Sequence, residues 1–262
     1  MANPYTLYYN DYSICSIMVR YTISLCERLR KGCPIQIEQR VIDIQHGGQL
    51  TEFYLCEVNP KGTVPVLTIP GAEAPLTESL DITYLLAQHY PFLIPRDLSD
   101  EIKSLLAELH NINYFSLSYT HKPQRAEDMV SNIQKRLDDP DISDRWRRAL
   151  EYKLEIVLAT RAPALTKEAV ASEEQKASSL LAKIDKLLKQ AENSGNGSPW
   201  IFGTQEPTAL DAHVVPFLAR LLHVGRKNML STRLEKYAEH AFAGDAWTEV
   251  MDGRRTMYGT YI

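Results

Sequence analysis

Three short stretches of this sequence carry residue types that can do chemistry at their spacing. The first is Asn10-Asp11-Tyr12-Ser13-Ile14-Cys15-Ser16, where a strand-like run gives way to a helical pattern. A hydroxyl at Ser13 stands beside the unpaired N–H groups and positive dipole end of the coming helix, an environment that favours a nearby anion. The natural anion there is a thiolate. An ordinary helix cap has the same signature, because serine is a preferred cap residue anywhere. Cys15 stands in the same helix start, which would favour its own thiolate.

The second stretch runs from Asn59 to Leu67 and contains Val64-Pro65. A proline that opens a strand removes one ladder donor and suits a cis bond, leaving the backbone of Val64 positioned to pair with an extended, peptide-like ligand. An ordinary turn before an edge strand fits equally well. The third is Thr77-Glu78-Ser79-Leu80-Asp81-Ile82. Here a carboxylate that can meet an ammonium precedes a helix start whose N–H groups and hydroxyl can hold a carboxylate, a pairing that suits an α-amino acid headgroup. Alternatively, Glu78 simply complements the helix dipole.

The elements that must carry these residues fall into two halves. Tyr5 to Tyr9 is a short β-favouring run. After Ser13 the apolar positions Ile17, Tyr21, Leu25 and Leu29 recur every fourth residue, and Lys31-Gly32 closes the helix. Ile35, Ile37 and Val41 alternate as a strand, and a helix-like stretch runs to Val58. Asn59 to Gly62 is a turn, Val64 to Ile69 a strand, Ala74 to Leu76 its hairpin return, and Ser79 to His89 a helix. This order predicts a thioredoxin-like α/β domain over residues 1–92. From 100 to 262 the pattern is helical, with segments at Asp100–Tyr119, Ser143–Arg161, Ser179–Gln190, Thr208–His223 and Ser231–Phe242, and a loop at Ser194–Pro199. The boundary falls near Pro91 to Ser99.

Composition narrows the partners. The 262 residues carry 29 basic and 33 acidic side chains, a formal charge of -4. That balance offers no field to hold nucleic acid or an anionic membrane. The start of the chain has no secretory pattern, which predicts a cytoplasmic protein. The most apolar later stretch, Val214 to Val224, is short and interrupted by Arg220 and His223. Four cysteines, Cys15, Cys26, Cys33 and Cys56, form no zinc-type or CxxC spacing, so thiols and no metal are expected.

Taken together, the three stretches resemble the glutathione S-transferase family. Ser13 to Arg20, SICSIMVR, is similar to the zeta-class signature SSCSxRVR, and His46 to Gln49, HGGQ, followed by NPKGTVPVL is similar to the zeta loop and proline strand. Zeta enzymes include maleylacetoacetate isomerase. The resemblance implies that Ser13 donates its hydroxyl to the sulfur of bound glutathione. It further implies that Val64, before Pro65, pairs with the cysteinyl unit, that Glu78 and Ser79 hold the γ-glutamyl end, and that Gln49 meets the glycyl side.

It implies a homodimer and a hydrophobic electrophile as second substrate, with either conjugation or cis–trans isomerisation as the outcome. A Cys15-dependent thiol reductase, as in omega-like members, and a non-catalytic interaction module are the rivals. Thr208 and Asp211 match the box that caps a core helix of the second domain, a folding role. Cys26, Cys33 and Cys56 are expected as small buried hydrophobes. The segment 100–262 is longer than the usual zeta partner, and Tyr114, Tyr119 and His121 are more simply core residues than pocket residues. A long, tyrosine-rich version of this fold resembles fungal members attached to secondary-metabolite pathways.

Overall fold

A computed structural model of the chain describes residues 4–29 and 35–259. The expected helix stop at Lys31-Gly32 and Cys33 lie outside them. The chain forms two compact units, each assembled from separate stretches: 1–10, 36–78 and 113–173 in the first, 11–35, 79–112 and 174–262 in the second.

The first unit holds the sheet. Strand β1 (Tyr5–Tyr9) is central, parallel to β2 (Ile37–Val41) and antiparallel to β3 (Val66–Thr68). Leu7 of β1 stands opposite Gln39 and Leu67 and is fully buried. The anticipated hairpin return at Ala74–Leu76 is reduced to one bridge, in which Leu76 exchanges two 2.9 Å hydrogen bonds with Leu67. β3 begins at Val66 rather than at Val64, since Pro65 has no N–H to donate to a ladder.

The helix-like stretch before the Asn59 turn is π-helical from Tyr54 to Val58, closed by the Asn59 N–H donating to the Tyr54 carbonyl at 2.8 Å. Residues 50–58 are covered by two helices of the same unit, α5 (Gln124–Leu137) and α6 (Asp144–Thr160). Leu50, Leu55, Ile133, Leu150 and Val157 form their shared core. Helix α6 starts where expected, with the Ser143 hydroxyl accepting the Trp146 N–H. Helix α5 was not among the expected segments, although Ala126, Met129, Val130, Ile133 and Leu137 recur along it at helical spacing.

The second unit is helical. Helix α1 (Ile14–Leu29) packs against α2 (Ser79–His89), α8 (Ala209–His223) and α10 (Asp245–Met251), and α8 against α3 (Ser99–His110) and α9 (Thr232–Phe242). One continuous helix was expected over Asp100–Tyr119, but the chain breaks after α3. Asn113, where the chain passes back into the first unit, caps a new helix, α4 (Tyr114–Tyr119), its side-chain oxygen accepting from the Phe115 and Ser116 N–H groups. Helix α7 (Lys167–Asn193) extends the expected Ser179–Gln190 pattern at both ends, and its Leu180, Leu181, Ile184 and Leu188 are buried.

The Thr208–Asp211 box is formed at the start of α8. Asp211, wholly buried, accepts the Thr208 N–H and hydroxyl, each at 2.7 Å, the Tyr237 hydroxyl at 2.9 Å and the Ile201 N–H at 3.1 Å. Among the described residues no helix is long and apolar enough to cross a membrane. Cys15, Cys26 and Cys56 are thiols rather than disulfides. Cys26 is buried as expected, whereas Cys56 is partly exposed, because it lies where the π-helical turn meets the polar start of α6 and its sulfur faces the Arg145 carbonyl.

A buried chain of rings crosses α2, α3 and α8. His110 and His213 share a 2.8 Å nitrogen–nitrogen hydrogen bond, and His213 reaches Thr83 Oγ1 at 2.8 Å. Each link needs one donor and one acceptor, so the two facing nitrogens of His110 and His213 cannot both carry a proton. Burial holds His110 at a pKa of about 4, and burial followed by the neighbouring His110 holds His213 well below its ordinary value. The folded state therefore keeps these rings neutral where the unfolded chain takes up protons. Stability is full above pH 6.5 and falls as the pH drops toward 4, by up to about 3 kcal/mol for His110 alone. Urea midpoints at pH 7, 5.5 and 4.5 are expected to decline in that order, and His213→Gln to flatten the decline.

Candidate functional site

Ser13 occupies the cap position of α1. Its carbonyl accepts the Ile17 N–H at 2.9 Å, the first turn of the helix, and its hydroxyl oxygen accepts the Ser16 N–H at 3.4 Å. The capping reading is thus realised, and it does not compete with the chemical one. A hydroxyl accepts through a lone pair and donates through its proton, so one oxygen can cap a helix and stabilise an anion. Ser13 and Cys15 are both partly exposed, whereas Ile14 and Ser16 are buried.

The loop leading to Ser13 is fixed by residues that the motif does not include. Arg220, which interrupts the apolar run of α8 that begins at Val214, is buried and donates to the Tyr12 carbonyl at 2.8 Å and the Thr256 carbonyl at 2.7 Å. Asp11 pairs with Arg20 at 2.8 Å and Arg254 at 3.3 Å. The signal for Arg220 was present as a charge inside an apolar run. What it holds is 208 positions away and was invisible.

In the first unit the Val64–Pro65 peptide is cis, and Val64 packs against the core of Tyr8, Tyr54, Val58 and Val66. The turn before it, Asn59 to Thr63, is tightly tied. The Asn59 amide donates to the Thr63 carbonyl and hydroxyl, and the Tyr54 hydroxyl donates to the same carbonyl at 2.7 Å. Lys61 Nζ reaches Glu78 Oε1 at 2.9 Å, both side chains half exposed. Glu78 raises the pKa of that amine, chiefly through the hydrogen bond. Lys153 of α6 is buried and donates to the Lys61 carbonyl at 2.6 Å and the Gly62 carbonyl at 3.2 Å. Burial, and then Arg161, push its pKa down to about 8.

Gln49 lies in the short 3-10 turn Gly48–Leu50. Its side-chain oxygen is buried with no hydrogen-bond donor among the described residues. Gly62 has a positive φ of 55°, and a Cβ there would stand 3.2 Å from the Gln49 carbonyl oxygen, so the turn and Gln49 are close neighbours. Gln49, Lys61, Val64, Pro65 and Glu78 are therefore joined through one loop. In the second unit Ser79 is buried at the first position of α2, and Ser13 caps α1, which packs on α2.

A thioredoxin-like strand order with a cis proline, followed by a helical remainder, defines the glutathione transferase architecture. Residues 34–96 match the family model described as glutathione S-transferase, N-terminal domain, which bears out the likeness read from the motifs. No match is found among curated protein sequences.

Among solved structures, the beta-etherase LigF from Sphingobium sp. strain SYK-6 superposes with a TM-score of 0.66 at 17% identity, over 95% of this chain and 99% of that one. A glutathione transferase family member from Pseudomonas fluorescens pf-5, with two glutathione molecules bound, gives 0.56 at 17% identity, over 94% and 92%. A maleyl pyruvate isomerase, a bacterial zeta-class glutathione S-transferase, gives 0.55 at 18% identity, over 94% and 95%. At these identities the likeness is one of fold.

Proposed function

We propose that the protein is a glutathione-dependent transferase, with residues 1–92 holding the tripeptide and 100–262 the hydrophobic electrophile. The observation that carries this reading is Ser13 at the cap of the 16-residue helix α1, a hydroxyl and a helix N-terminus on one atom's doorstep. A thiol with a pKa near ~8.5 needs about 1.4 kcal/mol of preferential thiolate stabilisation for each unit of depression. One hydrogen bond to a charged group supplies roughly 1.5–3 kcal/mol, enough for one to two units.

In this reading the Ser13 hydroxyl donates to the sulfur, Val64 pairs through its backbone ahead of Pro65, Glu78 and Ser79 hold the γ-glutamyl end, and Gln49 takes the glycyl side. Glutathione supplies the nucleophilic sulfur for addition to the β-carbon of an enone or polyene, either kept as a conjugate or released after bond rotation as a cis–trans isomer. The zeta likeness and the maleyl pyruvate isomerase neighbour support the second outcome, and the two glutathione molecules in the Pseudomonas neighbour support the tripeptide itself. The protein works in the cytoplasm, and a fungal secondary-metabolite pathway is its proposed setting. It pairs as a homodimer.

Calorimetric titration with glutathione tests the reading directly. Binding in the micromolar range supports it, and no binding at millimolar glutathione returns the protein to the class of interaction modules. Stoichiometric loss of glutathione during turnover identifies conjugation, and product isomerisation without such loss identifies an isomerase. A second reading, thiol reduction through a mixed disulfide, is favoured by the partial exposure of Cys15 in the first turn of α1. Cys15→Ala is expected to retain most conjugating activity; loss of nearly all of it moves the protein to the reductases.

A further inference from the structure

We propose that Lys153, a residue of α6 outside every motif of the site, is a positioning residue that sets glutathione affinity by gripping the Lys61–Gly62 peptide. The inference rests on the glutathione reading above and adds to it a residue that does not touch the ligand. Lys153 Nζ donates to two successive carbonyls, Lys61 at 2.6 Å and Gly62 at 3.2 Å, and the side chain is only 2% exposed. A buried ammonium is normally placed against a carboxylate, because removal from water penalises its charge. Here the acceptors are main-chain oxygens of a turn. The depressed pKa records that penalty. An apolar residue would fill the same space without the penalty, so what the amine contributes is a fixed position for the turn.

The turn transmits that position to several candidate ligand contacts. At Gly62 a Cβ would stand 3.2 Å from Lys153 Cε, 3.2 Å from the Gln49 carbonyl and 3.0 Å from Leu55 Cδ2. The peptide is thus held between α6 on one side and the Gln49 turn on the other. From the gripped peptide, Lys61 sends its own amine to Glu78 at 2.9 Å, and two residues onward lies Val64. Arg145 and Trp146, at the start of the same helix, donate to the Cys56 and Leu50 carbonyls at 2.8 and 2.9 Å. Helix α6 therefore holds the segment that precedes the cis proline at three places. Lys153 is the hold nearest to Val64 in sequence.

The test compares wild type with Lys153→Met, which keeps the volume but removes the donors, and with Lys153→Arg, which restores donors and charge. Glutathione affinity is measured by calorimetry, kcat and glutathione KM with a model electrophile, 1-chloro-2,4-dinitrobenzene, and loop protection by amide hydrogen exchange. Expected for Lys153→Met is a rise of ~10-fold in both glutathione Kd and KM, with kcat changed less than ~3-fold and faster exchange across Lys61 to Val64. Lys153→Arg is expected to recover most of the affinity. Unchanged Kd in Lys153→Met, or an equal fall in kcat, overturns the proposal. Should Lys153→Met fail to fold, Lys153→Gln, which keeps a neutral donor, is measured under the same criteria. If wild type itself does not bind glutathione, the functional reading fails and takes the proposal with it. That outcome is distinct from one in which wild type binds and the variants match it.

Discussion

Ser13→Ala is expected to lower turnover with glutathione by ~10-fold or more, with a smaller change in glutathione affinity. The reason is that a hydroxyl aimed at a sulfur contributes most when the sulfur is charged, so its removal raises the thiol pKa and shrinks the reactive fraction at neutral pH. The same substitution removes the acceptor for the Ser16 N–H and so costs about 1 kcal/mol of helix capping. The two losses are separable. Ser13→Thr keeps both a cap oxygen and a hydroxyl and should stay near wild type in stability, while Ser13→Asp keeps the cap and puts a negative charge where the thiolate belongs. The chemical role predicts an inactive but well-capped Asp variant, together with a thiolate absorbance titration displaced upward in pH for Ala. Activity in Ser13→Ala within twofold of wild type would falsify the assignment.

Asp211→Ala should have the larger effect on the molecule as a whole, a loss of about 4 kcal/mol or more. Its carboxylate accepts four hydrogen bonds at a site with no solvent access, from Ile201, the backbone and hydroxyl of Thr208, and Tyr237. Truncation strands those donors, each at roughly 1–3 kcal/mol, and opens a cavity besides. Asp211→Asn is a sharper probe. Its amide oxygen can serve one side of the network, but its NH₂ group would face another donor, so an intermediate loss of about 2 kcal/mol is expected. The measurement is the denaturant midpoint at constant slope. A loss below about 1 kcal/mol for Asp211→Ala would show that the box is dispensable. Against a total stability of about 5–15 kcal/mol, the expected loss leaves a protein that folds poorly at 37 °C.

Much of the fold was legible because its signals are local. Tyr5–Tyr9 reads as a strand from β-favouring side chains bounded by Asn10 and Asp11, and the structure places β1 there. The starts of α1, α6 and α8 follow from Ser13, Ser143 and Thr208, since a cap needs only a side-chain oxygen and the turn that follows it. The misses are equally physical. Helix α5 was not read although Ala126, Met129, Val130, Ile133 and Leu137 recur at helical spacing; what the sequence does not record is that this stripe covers residues 50–58. Helix α10 has only seven residues and owes its place to contacts such as Trp247 against Tyr21. Asn113 reads as one more polar residue in a helical run until its side chain is seen to cap α4.

What the sequence by itself determined is the set of groups whose chemistry depends on their immediate neighbours along the chain: the Ser13 hydroxyl at a helix start, the proline after Val64, the acid at Glu78 before Ser79. Tertiary structure alone decided which distant residues hold them. Arg220 grips the carbonyl of Tyr12, and Lys153 grips the carbonyls of Lys61 and Gly62. A carbonyl oxygen is the same acceptor in every residue, so no side-chain pattern records which cation it will meet. That pairing is settled only when packing brings two remote helices over the loops they hold.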